Sequence, residues 1–150
     1  MSDSDEVLDA EGAQRALRKA ITLQYRSALQ FAVAAGSIFG LEYQALGAQL
    51  WEWAAAELDD VRRLVEKLTA LGGDPPTDVP KLNWDGEPGK AFERMIALED
   101  ETIEALHDVI EHTGREGRSE ALEHLMEHVI MRKQHQVDFL LRARRAPSGG

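Results

Sequence analysis

The sequence predicts an all-α protein, a bundle of four antiparallel helices with a long crossover between helices 2 and 3. Three observations support this fold class. Apolar residues recur at spacings of three and four along four separate segments, and glycine and proline interrupt the chain between these segments. No segment shows the strict alternation of apolar and polar residues that is typical of a half-buried strand.

The first helix is predicted over about residues 11–38 and the second over about residues 43–71, with a glycine-containing break at 36–40. A Gly-Gly pair at positions 72 and 73, followed by Asp-Pro-Pro, ends the second helix, because glycine and proline favour helix C-termini. The inner stripes of these helices are expected to contain Leu17, Ile21, Gln24, Ala28, Phe31 and Ala35, and then Leu50, Trp53, Ala54, Glu57, Val61, Leu64 and Leu68.

The third helix is predicted over about residues 89–112 and the fourth from about Ser119 to Arg145, with a short turn at 114–117. The expected stripes are Phe92, Met95, Glu99, Ile103, Leu106 and Ile110, and then Leu122, Leu125, Val129, Arg132, Gln136 and Phe139. The bundle domain is therefore predicted over residues 10–145, between a disordered acidic tail (1–9) and a disordered end (146–150).

A linker rich in proline and glycine occupies residues 72–89. An extended chain covers about 3.3 Å per residue, so this linker is long enough to span the whole bundle. A structureless segment of this length inside a compact domain needs a structural role. We expect a crossover that returns the chain to the end from which helix 2 started.

Composition excludes several classes of function. The chain has 150 residues and a net charge of −10, which argues against binding to nucleic acid or to anionic membranes. It contains no cysteine, so disulfides, thiolate metal sites and cysteine nucleophiles are excluded. No apolar run approaches the length of a membrane span, and the acidic N-terminus lacks a signal core. A cytoplasmic location is expected.

Each predicted stripe carries a polar residue near its middle. In a bundle of equal helices these positions lie at one level, and a residue one turn further shares the same face. The sequence therefore predicts a buried polar cluster of Gln24, Glu57, Asp60, Glu99, Arg132 and His135. Buried carboxylates must be metallated, paired or protonated. The summed formal charge of three carboxylates and one arginine is balanced by one divalent cation and exceeded by two, so one metal ion is permitted and two are disfavoured.

Four segments resemble the ligand-bearing segments of bacterioferritin. They are Leu23-Gln24-Tyr25, Ala56-Glu57-Leu58-Asp59-Asp60, Ile96-Ala97-Leu98-Glu99 and Arg132-Lys133-Gln134-His135. The resemblance covers about residues 11–145 and implies a ferritin-like fold. Members of this family hold two irons with one Glu from each of two helices and a Glu-x-x-His motif from each of the other two. Side-by-side homodimers or larger homo-oligomers are also implied, with Trp51 a candidate for an interface made by the first two helices.

The ligand set implied by the resemblance is incomplete. Gln24 replaces the first glutamate, Asp60 replaces a histidine, and Arg132 replaces a bridging glutamate. Leu58 stands where the family has its haem-binding methionine, so no haem is expected. The ligands that remain are Glu57, Glu99 and His135.

Two interpretations of the cluster remain open. In one, a single divalent metal, iron first of all, is held by Glu57, Glu99 and His135, with Asp60 as an alternative ligand. In the other, Arg132 takes the place of the metals and pairs with the carboxylates, with Gln24 and His128 beside it. The second is favoured because a fixed positive charge weakens metal binding.

The leading functional prediction is a divergent bacterioferritin-like protein with a degenerate di-iron centre, binding at most one divalent metal. Ferroxidase activity is disfavoured by Gln24, Asp60 and Arg132. Two alternatives are a working iron-oxidising or iron-storing relative with atypical ligands, and a metal-free bundle that binds a small molecule or a protein.

Overall fold

The computed structural model describes residues 7–38 and 40–145, and within them it contains four α-helices and no strand. The helices are α1 (Ala10–Ser37), α2 (Gln44–Ala70), α3 (Pro88–Ile110) and α4 (Gly117–Arg145), and a short 3-10 turn at Leu41–Tyr43 precedes α2. The predicted all-α bundle is confirmed. The α4 helix begins earlier than the sequence suggested, at Gly117.

The predicted disordered ends fall largely on residues 1–6 and 146–150, which lie outside the described residues. The described part of the predicted N-terminal tail is packed against the bundle. Leu8 is buried in the core, and the side chain of Asp9 caps α1 by accepting a hydrogen bond from the Gly12 N–H at 3.1 Å. The Asp9 N–H also donates to the His112 carbonyl at 3.0 Å, which joins this end of α1 to the end of α3.

Helix ends follow the local signals in the sequence. After α2, the Gly73 N–H donates to the Leu68 carbonyl and the Gly72 N–H to the Thr69 carbonyl, which is the Schellman arrangement. Gly72 adopts a φ of 87° there, a conformation that glycine reaches without a steric penalty. At the start of α3, Pro88 occupies the first turn and the Glu87 carboxylate accepts from two backbone N–H groups.

The core consists of two apolar clusters at opposite ends of the bundle. The first contains residues from the start of α1, the end of α2, the end of α3 and the start of α4. The second contains residues from the other ends of the same four helices. The two clusters therefore leave a middle layer of the bundle for other side chains, and that layer contains the polar residues.

The linker between α2 and α3 runs the length of the bundle. Leu71, at its start, packs against the first cluster, and Trp84, near its end, packs against the second. Between them the Tyr25 hydroxyl donates to the Pro76 carbonyl at 2.7 Å and attaches the linker to the middle of α1. This path makes α2 and α3 parallel to each other, and the predicted crossover is confirmed.

None of the described helices combines the length and the apolar character that crossing a membrane requires.

Candidate functional site

A cluster of polar side chains fills the middle layer between the two apolar clusters. Six of its residues are no more than 3% exposed, and they come from all four helices. We call them the central cluster: Gln24, Glu57, Asp60, Glu99, Lys133 and Gln136. Arg132 joins them from α4 with a side chain that is 24% exposed.

Lys133 lies at the centre of this cluster. Its ammonium group donates to both carboxylate oxygens of Glu57, at 3.0 and 2.8 Å, and to Oε1 of Glu99 at 3.0 Å. All three side chains are completely buried. An ammonium has three donors and no acceptor, so these contacts use it as a fixed positive charge that joins the two acids.

Two glutamines complete the hydrogen bonding of the acids. Gln24 donates from α1 to the Glu57 carboxylate and, at 3.2 Å, to the Glu57 backbone carbonyl. In the amide orientation that satisfies both of its ends, Gln136 donates to Glu99 at 2.8 Å and to Glu57 at 2.9 Å, and it accepts from Arg132. Each carboxylate at the centre is thus held by several donors.

Arg132 closes the cluster on its more exposed side. Its Nε donates to Oδ2 of Asp60 at 2.8 Å, its Nη2 contacts the same oxygen, and Nη2 lies 3.4 Å from Oε1 of Glu57. Burial disfavours the charged form of Arg132. The negative charges of Glu57 and Asp60 outweigh the effect of burial and raise the pKa of Arg132. Burial also raises the pKa of Asp60, although Arg132 opposes that shift.

The environment of Glu99 favours the protonated form of its carboxyl group. Burial, followed by the nearby charge of Glu57, raises its pKa to about 7, while Lys133 acts in the opposite direction. Three carboxylates face two cations in this cluster, so full ionisation would leave one uncompensated negative charge. A proton on Glu99 removes that excess.

The structure brings together four of the residues that the sequence placed at the centre and adds two that it did not. Gln24, Glu57, Asp60 and Glu99 meet as expected, and Arg132 reaches them from the edge. His135 and His128 do not join them, because both side chains are exposed on the outer side of α4. The added residues are Lys133 and Gln136, and of these the sequence placed only Gln136 on the inner stripe of α4.

The difference arises from the register of α4. Its buried positions are Ser119, Leu122, Met126, Val129, Lys133, Gln136, Val137 and Leu140. The predicted stripe shares Leu122, Val129 and Gln136 with this set. It differs at Leu125, Arg132 and Phe139, each of which lies one residue before a buried position. Both stripes have helical spacing, and apolar residues cover a wide arc of this helix. Periodicity alone therefore allowed two orientations of α4 whose buried positions differ by one residue. The spacing of Met126, Val129 and Leu140 was the available signal, but lysine is seldom fully buried.

The side chains of the central cluster differ from the ligand set of di-iron helix bundles. Such bundles use one Glu from each of two helices and Glu-x-x-His from the other two. Here the cluster contains no imidazole, and Lys133 and Gln136 occupy α4 positions with the same i, i+3 spacing. The Lys133 ammonium takes the lone pairs of Glu57 and Glu99 that metal ions would need.

One group of metal-ligating type lies elsewhere among the described residues. Donor atoms of His107, Asp108 and Glu111 lie within 4.8 Å of one another at the surface near the end of α3. The side chains are exposed or half-buried, and no further observation points to a ligand there.

Comparison with known proteins identifies the family of this fold. The family model named Ferritin, a ferritin-like domain, matches residues 14–144. No curated protein matches the sequence.

Two solved structures have the same fold. A ferritin-like, diiron-carboxylate protein from Bacillus anthracis str. Ames is similar at a TM-score of 0.81 and 19% identity, over 91% of this chain and 98% of that one. A dodecameric thioferritin, the bacterioferritin-related protein from Bacteroides fragilis, is similar at a TM-score of 0.80 and 14% identity, over 90% of this chain and 85% of that one.

Replacement of Lys133 by methionine, which has a similar length and no charge, tests the role of the central ion pair. We expect the free energy of unfolding to fall by about 3–5 kcal/mol, because Glu57 and Glu99 then lose their buried cation. Chemical denaturation of the variant and of the wild type measures the difference.

Two matched variants control this experiment. Lys90→Met changes an exposed lysine and should leave stability within about 0.5 kcal/mol of the wild type. Adding Glu57→Gln and Glu99→Gln to Lys133→Met neutralises the acids and should restore much of the loss. If Lys133→Met were as harmless as Lys90→Met, the ion pair would have no structural importance.

Stability should also depend on pH through Glu99. Its pKa is 4.5 as an unperturbed side chain and about 7 in the folded protein. Between these values the folded state keeps a proton that the unfolded state has lost, so Glu99 makes the free energy of unfolding fall as pH rises, by at most about 1.4 kcal/mol per pH unit. Urea denaturation from pH 4.5 to 7.5 should show a flatter profile for Glu99→Gln than for the wild type.

The exposed residue Glu93, on the same helix, supplies the control. Glu93→Gln should retain the slope of the wild type. Equal slopes for the wild type and Glu99→Gln would show that Glu99 ionises no differently in the folded and unfolded states.

Proposed function

The chain belongs to the ferritin family, and on this premise we propose that it is a divergent member with a degenerate di-iron centre. It binds at most one divalent metal at the bundle centre and is a poor ferroxidase. In this interpretation an ion-pair network, in place of metal ligands, joins the four helices at the middle layer.

The buried ammonium of Lys133 is the observation that carries this proposal. A divalent ion at the same place would have to displace Lys133 from Glu57 and Glu99, or remove its proton. Either change is costly, because it leaves a buried charged or polar group without its partner. Two ions would have the same energetic cost, and the cluster would offer them only three carboxylates and no imidazole as ligands.

The charge of the cluster supports the same conclusion. Arg132 and Lys133 already balance two of the three acids, and the raised pKa of Glu99 accommodates the third. Without cations from the protein, three carboxylates would attract metal strongly. The positive charges of Arg132 and Lys133 largely cancel this attraction for a divalent ion.

We also propose that the chain forms a homodimer or a larger homo-oligomer through the outer faces of α1 and α2. Large apolar side chains are exposed there, with Trp51 at 62% and Leu58 at 57% on α2, and Leu29 and Val33 one turn apart on α1. Exposed apolar groups that cluster in this way mark association surfaces. The similar protein from Bacteroides fragilis is described as dodecameric.

Metal loading tests the degenerate centre. The purified protein is incubated anaerobically with Fe(II), desalted and analysed for iron, and a second sample is exposed to air while Fe(III) formation is followed by absorbance. We expect less than one tightly held iron per chain and oxidation close to that of a protein-free solution.

Surface binding must be separated from binding at the centre. The double variant His107→Ala and Glu111→Ala removes donors of the exposed group on α3, and Glu99→Gln removes a donor at the centre. Two tightly bound irons per chain that survive the first variant and disappear in the second, with rapid oxidation, would overturn the proposal.

Light scattering tests the association surface. Trp51→Glu combined with Leu58→Glu places two charges on the outer face of α2, and we expect a shift of the molar mass toward that of the 16.7 kDa monomer. Val79→Glu, at an exposed apolar residue of the linker, serves as the control and should keep the oligomer. Retention of the wild-type mass by the double variant would place the interface elsewhere.

A further inference from the structure

The outer side of α4 carries three side chains of metal-ligating type that belong neither to the central cluster nor to the exposed α1 and α2 face. They are His128, Met131 and His135, at spacings of three and four along the helix. This spacing places them on one side of α4. Both histidines are exposed, and Met131 is 68% exposed in the middle of a long helix.

These three side chains line the same cavity. It lies between α2 and α4, has a volume of about 300 Å³, and receives Trp53 and Ala56 from α2. Arg132 and Gln136 also line it, where it meets the central cluster. The α2 and α4 helices approach each other more sparsely than the other neighbouring helices, which explains why a cavity remains between them.

The donor set has a definite preference among metals. A thioether is a soft ligand that favours Cu(I) and contributes little to Zn(II) or Fe(II), and imidazole is a good ligand for copper. An indole ring attracts a cation placed against its face, and Trp53 is among the residues that line this cavity. Since the chain has no cysteine, no thiolate of its own competes for a soft ion.

The charges around the cavity do not oppose a monovalent cation. Among the described residues that line it, Arg132 is the only one that is permanently charged, and its guanidinium is already bound to Asp60, Glu57 and Gln136. The chain as a whole carries a net charge of −10. A singly charged ion meets half the repulsion from Arg132 that a divalent ion would meet.

We propose that His128, Met131 and His135 bind a single Cu(I) ion in the cavity between α2 and α4, with the indole of Trp53 against it. None of the three ligands belongs to the central cluster, so the proposal does not require that cluster to bind iron.

Competition for Cu(I) tests the proposal. The full chain is titrated anaerobically with tetrakis(acetonitrile)copper(I) in the presence of bicinchoninate, and the affinity and stoichiometry follow from the loss of the coloured competitor complex. We expect one ion per chain, accompanied by quenching of tryptophan emission. Trp53→Phe should remove most of that quenching while leaving a bound ion.

Variants assign the ligands. Met131→Leu, His128→Ala and His135→Ala should each weaken Cu(I) binding at least tenfold, with unchanged circular dichroism because all three side chains are exposed. His124→Ala, at an exposed histidine of the same helix, should bind as the wild type does. Any Zn(II) affinity should be insensitive to Met131→Leu, because zinc does not use the thioether.

Three results would contradict the proposed Cu(I) site. Cu(I) affinity that is unchanged in Met131→Leu, or reduced as much in His124→Ala as in His135→Ala, would mean that the ion binds histidines without a defined site. Absence of one-to-one binding in the wild type would overturn the proposal directly. None of these results would bear on the iron-loading experiment, which concerns residues of the central cluster.

Discussion

The burial of one ammonium group between two carboxylates is the constraint on which the rest of this structure depends. Lys133 is completely enclosed, and so are Glu57 and Glu99, its partners on α2 and α3. None of these groups could be buried alone, because an unpaired charge in a protein interior costs several kcal/mol. The three helices must therefore hold one register relative to each other, and Gln24 brings α1 into the same network.

The position of this network along the bundle explains the organisation of the core. Apolar side chains pack in one cluster on each side of it, and the polar layer separates them. Burial of the apolar clusters supplies the main driving force for folding, whereas a buried ion pair adds little net stability compared with apolar packing. The contribution of the network is therefore best understood as specifying the register in which the clusters pack.

In the function proposed here, the same network also changes the chemistry of the fold. In a ferritin-like bundle the middle layer is the place for metal ligands, and here its acids are used by lysine, arginine and glutamine. A fold supports a function only through the groups at its site, so membership of the family does not by itself bring ferroxidase chemistry to this chain. The proposed Cu(I) ligands on the outside of α4 lie close to this layer. They belong to other residues and are imidazole and thioether groups, not carboxylates.

The sequence by itself determined the four helices, the crossover and the depth at which polar residues meet, because helical spacing and the Gly and Pro signals are local properties of the chain. It also identified Gln24, Glu57, Asp60 and Glu99 as members of one cluster. Only the tertiary structure decided which α4 residues complete that cluster. The predicted and observed stripes have almost the same apolar character. The choice of Lys133 over Arg132 for the centre depends on how α4 packs against α3 and the central acids. The positions of His128 and His135 at the surface follow from that same rotation of the helix.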